Sequence, residues 1–116
     1  MKYMCLVYFE PSIWDHISES ENTKLTAESL AYDKQLESTG HYIYAEALQS
    51  VETATTIRVR DGKTSVTDGP FGETKEVLGG FILVNAQDLD DAMQVAAKIP
   101  LARFGSIEIR PILEMV

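Results

Sequence analysis

The fold is decided close to the start of the chain by seven consecutive apolar residues of strand length, Tyr3-Met4-Cys5-Leu6-Val7-Tyr8-Phe9. Aromatic and branched side chains are frequent in this run, which favours a β-strand. Polar residues do not alternate with the apolar ones, so the strand is predicted to be covered on both faces. A second run of the same kind, Gly80-Phe81-Ile82-Leu83-Val84, lies in the other half of the chain.

A helix is predicted after each of these two strands. The first extends from about Thr23 to Thr39, behind a capping-box sequence at residues 18–21 and before Gly40, a residue type that ends helices in a left-handed conformation. The second begins after Asp88, keeps apolar residues at helical spacing, and stops at Pro100.

Four shorter segments have the character of further strands. Residues 41–48 are predicted to be extended, residues 55–60 and 107–112 alternate between apolar and polar side chains, and residues 63–67 form a returning strand. The dipeptide Asp61-Gly62 predicts a two-residue hairpin turn between residues 55–60 and residues 63–67.

This order of elements predicts a single α+β domain over residues 1–116. Two β-α-β halves with an extra hairpin strand form a ferredoxin-like sandwich, with both helices on one face of an antiparallel sheet. The two apolar strands then lie in the centre and the alternating strands near the edges. Because the helices cover one face only, a second copy packed sheet to sheet is the simplest cover for the other, in a dimeric α/β-barrel-like assembly. A long loop or an apolar ligand is the alternative cover.

Charge and composition exclude several classes of partner. A formal net charge of -8 disfavours nucleic acid and anionic membrane surfaces, which both require clustered basic residues. No apolar run approaches the roughly 20 residues of a transmembrane helix. The single cysteine, Cys5, cannot form a disulfide within the chain, which predicts a reducing cytoplasmic location. No metal-ligand spacing or phosphate-binding loop occurs, so no metal or cofactor is predicted.

The segment richest in chemically active side chains is Val66-Thr67-Asp68-Gly69-Pro70-Phe71-Gly72-Glu73-Thr74-Lys75-Glu76-Val77-Leu78-Gly79-Gly80. It resembles the signature of the DGPF proteins within the YCII-related family. The opening Lys2-Tyr3-Met4, residues 40–48, Arg60-Asp61-Gly62-Lys63 and residues 107–111 also match the family's pattern, so the resemblance covers nearly the whole chain. It implies a ferredoxin-like fold, dimers formed by sheet packing, and a fold similar to that of muconolactone isomerases.

The resemblance also implies functional features of two kinds. A His–Asp pair has been proposed as catalytic in some relatives, with its histidine on the first helix. Residues 24–39 contain no histidine here, and the two that are present, His16 and His41, lie before and after the predicted helix. We interpret His41 as a surface residue at the helix end, where its charge suits the helix dipole. DGPF proteins often accompany extracytoplasmic-function sigma factors in genomes, which implies a regulatory link.

Asp68 is the first candidate for a catalytic residue. An aspartate before Gly-Pro commonly hydrogen-bonds its own loop backbone, so a turn-forming role is one interpretation. A general base or ligand-binding carboxylate at the mouth of a pocket is the other.

Two further groups of charged residues are candidates for ligand binding. Glu73, Lys75 and Glu76 follow Asp68 and form either a solvated loop or a set that binds a small polar substrate. Arg58, Glu108 and Arg110 are expected on the sheet face opposite the helices, either as charge pairs bordering a dimer interface or as the lining of a pocket. We expect the loop from Asp68 to Glu76 to approach Arg58 and Arg110.

The sequence therefore leaves two classes of function open. One is a small enzyme that uses carboxylates for acid–base chemistry, in the manner of lactone isomerases. The other is a non-catalytic small-molecule-binding or accessory protein with a link to sigma-factor regulation. The substrate or ligand is not identified by any motif.

Overall fold

Four of the six strands form one antiparallel sheet with both apolar strands at its centre. The computed structural model describes residues 1–115 and contains strands β1 (Lys2–Phe9), β2 (Tyr42–Ala47), β3 (Thr55–Arg60), β4 (Lys63–Asp68), β5 (Val77–Asn85) and β6 (Ser106–Pro111). The order in the sheet is β2-β5-β1-β6, so the predicted central position of the two apolar strands is confirmed. The helices α1 (Glu19–Ser38) and α2 (Leu89–Ala97) complete the predicted α+β fold.

Helix α1 begins four residues earlier than predicted because the capping box lies at its first turn rather than ahead of it. The Ser18 hydroxyl accepts from the Glu21 amide at 3.0 Å, and the Glu21 carboxylate accepts from the Ser18 amide at 3.2 Å. These two bonds satisfy donors that the first turn of a helix otherwise leaves free. The helix ends at Ser38, Thr39 is its C-cap, and Gly40 follows with a φ of 80°.

Both helices pack on the same face of the sheet and enclose the core. The buried side chains of β1 and β5 on this face are Tyr3, Cys5, Val7, Ile82 and Val84. Helix α1 adds Leu25, Tyr32 and Leu36, and α2 adds Ala92, Val95 and Ala96. The alternate residues of the central strands (Met4, Leu6, Phe81 and Leu83) are half-buried on the opposite face, which we call the outer face. The two-sided burial predicted for these strands is therefore incomplete within one chain.

The predicted hairpin forms, but it does not join the main sheet. Strands β3 and β4 pair with each other in a separate two-stranded sheet. Its apolar side chains Ile57, Val59 and Val66 are 56–64% exposed, whereas the alternating pattern predicted a half-buried strand. The radius of gyration of 16.2 Å exceeds the roughly 13 Å of a compact 100-residue domain, as expected when a hairpin projects from the body. The predicted position of residues 55–60 near the edge of the main sheet is thus wrong, whereas the other alternating segment does form an edge strand, β6.

Candidate functional site

A cavity of about 660 Å³ lies between α1 and the sheet, within the size range of small-molecule sites. Its floor includes Val7 and Phe9 of β1 and Gly80 and Ile82 of β5. Most of the lining is apolar, so the cavity suits a ligand with a largely apolar body.

The wall contributed by α1 carries a stripe of polar side chains. Asn22, Thr26, Ser29 and Asp33 all line the cavity. Their spacing of four, three and four residues places them on one helix face, beside the buried apolar stripe. The polar stripe was not predicted from the sequence, although it has the same helical periodicity as the apolar stripe that was.

Asp33 is the acidic residue of α1 that lines this cavity. Its side chain is half-buried, and burial raises the pKa of its carboxyl group, with a further contribution from the negative charge of Glu37 one turn along. Tyr32 beside it has a different role, because its hydroxyl donates to the Val95 carbonyl at 2.7 Å and connects the two helices. Burial raises the pKa of Tyr32 to about 12, which leaves its hydroxyl protonated.

Aromatic residues and two glycines shape the opposite end of the cavity. Trp14, in the 3-10 turn Pro11–Asp15, contacts the Phe9 ring edge to face, with centroids 5.2 Å apart. A Cβ atom on Gly79 would overlap that ring, and one on Gly80 would lie 2.9 Å from the Glu46 carbonyl oxygen. Both positions therefore need glycine for the strands and the Phe9 ring to approach so closely.

Asp33→Asn is expected to stabilise the protein at neutral pH. A raised pKa in the folded state means that folding disfavours the charged carboxylate, a penalty present above the folded-state pKa and absent below the unfolded-state pKa. Because solvent screens the half-exposed group, we expect a melting temperature on the order of 2 °C higher at pH 7. Calorimetry at pH 7 and near pH 3 measures this, and a variant that melts below wild type at pH 7 would show that the Asp33 charge is stabilising.

The structure does not bring Asp68 together with the two predicted arginines. The β3–β4 register pairs Thr55 with Asp68 and Arg58 with Ser65, so Asp68 and Arg58 face opposite sides of the hairpin. The Arg58 guanidinium donates to the Phe71 carbonyl at 2.9 Å and holds the loop against its own face. Arg110 lies in β6 of the other sheet. The expected meeting of Asp68 with both arginines on one sheet face therefore does not occur within the chain.

The remaining predicted residues either pair with other parts of the chain or are exposed. Lys75 pairs with Glu10 at 3.3 Å, and Glu76 accepts from the Ser106 hydroxyl at 2.9 Å. Glu108 and Arg110 pair at 3.7 Å on the outer face of β6, while Glu73 is exposed. None of the seven predicted residues lines the cavity beside α1.

His41 is half-buried between the two helices, whereas it was predicted as a surface residue at the helix end. Its Nε2 lies 3.0 Å from Asp91 Oδ1, and its Nδ1 lies 2.7 Å from the Thr39 hydroxyl, so it connects the end of α1 to the start of α2. The backbone amide of Gln87 and then His41 lower the pKa of Asp91. A polar pocket of about 410 Å³ adjoins this pair. His16 is exposed in the loop before α1.

Two kinds of feature are absent from residues 1–115. In this range no three His, Cys, Asp or Glu side chains cluster in a way that suits a metal ion. No helix in the described part of the chain has the length and apolarity needed to cross a membrane.

Comparison with known proteins agrees with the resemblance in the DGPF segment. The model of the YCII-related domain family matches residues 1–116. An uncharacterised protein of Rhizobium meliloti (strain 1021) is 33% identical over 114 residues, which cover 97% of this chain and 92% of that protein. A match over the full length, with the fold predicted for the family, leads to one conclusion: the chain belongs to the YCII-related domain family.

Proposed function

We propose that this protein binds a small, largely apolar molecule in the cavity beside α1 and transfers a proton to or from it through Asp33. The observation that carries the proposal is the position of Asp33, a half-buried carboxyl group on the polar stripe of an otherwise apolar cavity. A carboxyl group whose pKa is raised by burial is suited to general acid–base catalysis. The proposal keeps the carboxylate chemistry predicted from the sequence and assigns it to Asp33.

The catalytic role predicted for Asp68 remains a prediction. The position of Asp68 within one chain supports this role less than the position of Asp33 supports its own. Asp68 is exposed at the end of β4, on the hairpin face that carries Ile57 and Val66. It does not line the cavity. The Glu73–Lys75–Glu76 group and Arg58, Glu108 and Arg110 likewise remain predicted ligand-binding residues away from this cavity.

Proton transfer by Asp33 is testable with a neutral aromatic ketone. We expect the protein to accelerate exchange of the methyl hydrogens of 2-acetylnaphthalene with deuterium from the solvent, because abstraction next to a carbonyl needs a positioned base. General-base catalysis typically contributes at least about a hundredfold. Proton NMR follows the exchange, with Asp68→Asn as the matched variant. Exchange that is lost in Asp33→Asn and kept in Asp68→Asn supports the proposal, and equal exchange in wild type and Asp33→Asn contradicts it.

Binding without catalysis is the second candidate function. The cavity lining within the described chain contains no histidine, lysine or arginine that would share a proton with Asp33. A lone carboxyl group is able to orient a ligand without reacting with it. Saturable binding of the ketone without any exchange would favour this function.

The same proposal includes a homodimer packed through the outer face. Met4, Leu6, Phe81 and Leu83 form an apolar strip there, and no helix of the described chain covers it. Exposed apolar strips rimmed by charges are typical of protein interfaces, and Glu108 and Arg110 lie at this rim. The projecting hairpin supports dimerisation too, since an isolated two-stranded hairpin is marginally stable unless it packs on another surface. A cytoplasmic location, based on the single buried Cys5, is part of this proposal.

A further inference from the structure

The cavity beside α1 has an unbalanced set of charges. The carboxyl group of Asp33 in α1 lines it, whereas Glu46 of the edge strand β2 pairs with Phe81 and directs its side chain to the outer face, so that only its backbone borders the cavity. Within residues 1–115, no lysine, arginine or histidine belongs to the lining. An electrostatic preference for the sign of a ligand's charge follows from this set.

A ligand with a negative charge would meet two obstacles in this cavity. Its charge would leave water for a largely apolar surrounding, which is costly without a partner of opposite sign. It would also lie near the Asp33 carboxylate, which has the same sign, and low water content strengthens this repulsion.

A ligand with a positive charge would find complementary groups. Its ammonium group would pair with the Asp33 carboxylate. Partial burial disfavours the negative charge of this carboxylate, and a nearby positive charge would compensate for that cost. The rings of Phe9 and Trp14, in edge-to-face contact at the end of the cavity, would accept the apolar body, and aromatic faces also attract cations.

We propose that the ligand of the cavity is an amine, an apolar body of about one or two rings with a protonated nitrogen directed at Asp33. This inference rests on the proposed function and specifies its ligand class. It separates this protein from enzymes that act on carboxylate-bearing lactones, because no cationic side chain of residues 1–115 lines the cavity to pair with such a carboxylate.

Three probes with one skeleton test the inference: 1-naphthylmethylamine, 1-naphthalenemethanol and 1-naphthoate. We expect calorimetry to give affinities in the order amine, alcohol, carboxylate, with at least about tenfold between the first and last. Because the whole chain is negative, each titration is repeated at about 1 M NaCl, where exposed charges are screened within roughly 3 Å. The order should persist at high salt, since a direct ion pair is screened less than distant charges.

Two charge-matched variants locate the preference. Asp33→Asn should weaken amine binding by at least about fivefold and leave alcohol binding within about twofold, since only the ion pair is lost. Asp90→Asn removes the same charge from the exposed start of α2 and should change neither affinity. Carboxylate binding as tight as amine binding, or equal effects of the two variants, would overturn the inference and leave the cavity as a binding site. If none of the three probes binds, the proposed function itself fails.

Discussion

Leu83→Asp is expected to give a folded monomer, whereas Val84→Asp is expected not to fold. The two residues are neighbours in β5 with opposite orientations. Val84 is 0% exposed and faces the helices, so an unpaired carboxylate there removes a large part of a total stability of roughly 5–15 kcal/mol. Leu83 is half-buried on the outer face, where the new charge has access to water in the monomer but not in a dimer.

Sedimentation and circular dichroism separate these outcomes. For Leu83→Asp we expect native-like ellipticity and a dimer dissociation constant at least about a hundredfold higher, which corresponds to about 3 kcal/mol. Met93→Asp, on the exposed side of α2, is the control and should remain a dimer. A Leu83→Asp dimer of unchanged affinity would exclude the outer face as the interface. Equal melting of the Leu83 and Val84 variants would show that the orientations assigned to the two residues are wrong.

Ser29→Phe is expected to weaken the binding of 1-naphthalenemethanol strongly. Ser29 lies in the middle of the polar stripe, so a phenyl ring at this position would occupy the space beside Asp33. The fold should tolerate the change, since filling a cavity commonly adds about 0.5–2 kcal/mol of stability. We expect a loss of affinity of at least about thirtyfold, or about 2 kcal/mol, in calorimetric titrations.

Ala31→Phe provides the matched control for this variant. Ala31 is exposed on the same helix and does not line the cavity. It should bind the alcohol with wild-type affinity. Wild-type affinity in Ser29→Phe would mean that the alcohol binds elsewhere, for example on the apolar outer face.

The sheet was predictable because its signals are local and its topology follows from few rules. The apolar runs around Cys5 and Ile82 identified the central strands, and Asp61-Gly62 identified the hairpin. The location of the hairpin was not predictable, since the alternation of Ile57, Arg58 and Val59 indicates one apolar face without indicating what covers it. Whether the hairpin pairs with the main sheet depends on tertiary contacts, which no local sequence signal specifies.

The candidate site was harder to predict because it is a space between elements. The DGPF loop contains many charged residues, and for this reason Asp68 was predicted as the catalytic residue. In the structure, polar groups of that loop bond to other parts of the chain, as the Phe71 carbonyl does to Arg58. Asp33 has no motif around it. Its significance depends on the distance between α1 and the sheet, which the sequence does not give. The helical spacing of Asn22, Ser29 and Asp33 was the one available signal.

An amide-proton NMR titration of the wild-type protein with 1-naphthalenemethanol tests most directly whether the cavity beside α1 is a binding site. The proposed function predicts saturable shifts that concentrate on Asp33, Gly79, Gly80 and the indole N–H of Trp14, with the hairpin residues unchanged. Saturable shifts confined to the outer face or to the Asp68 loop, or the absence of any saturable shift, would contradict it.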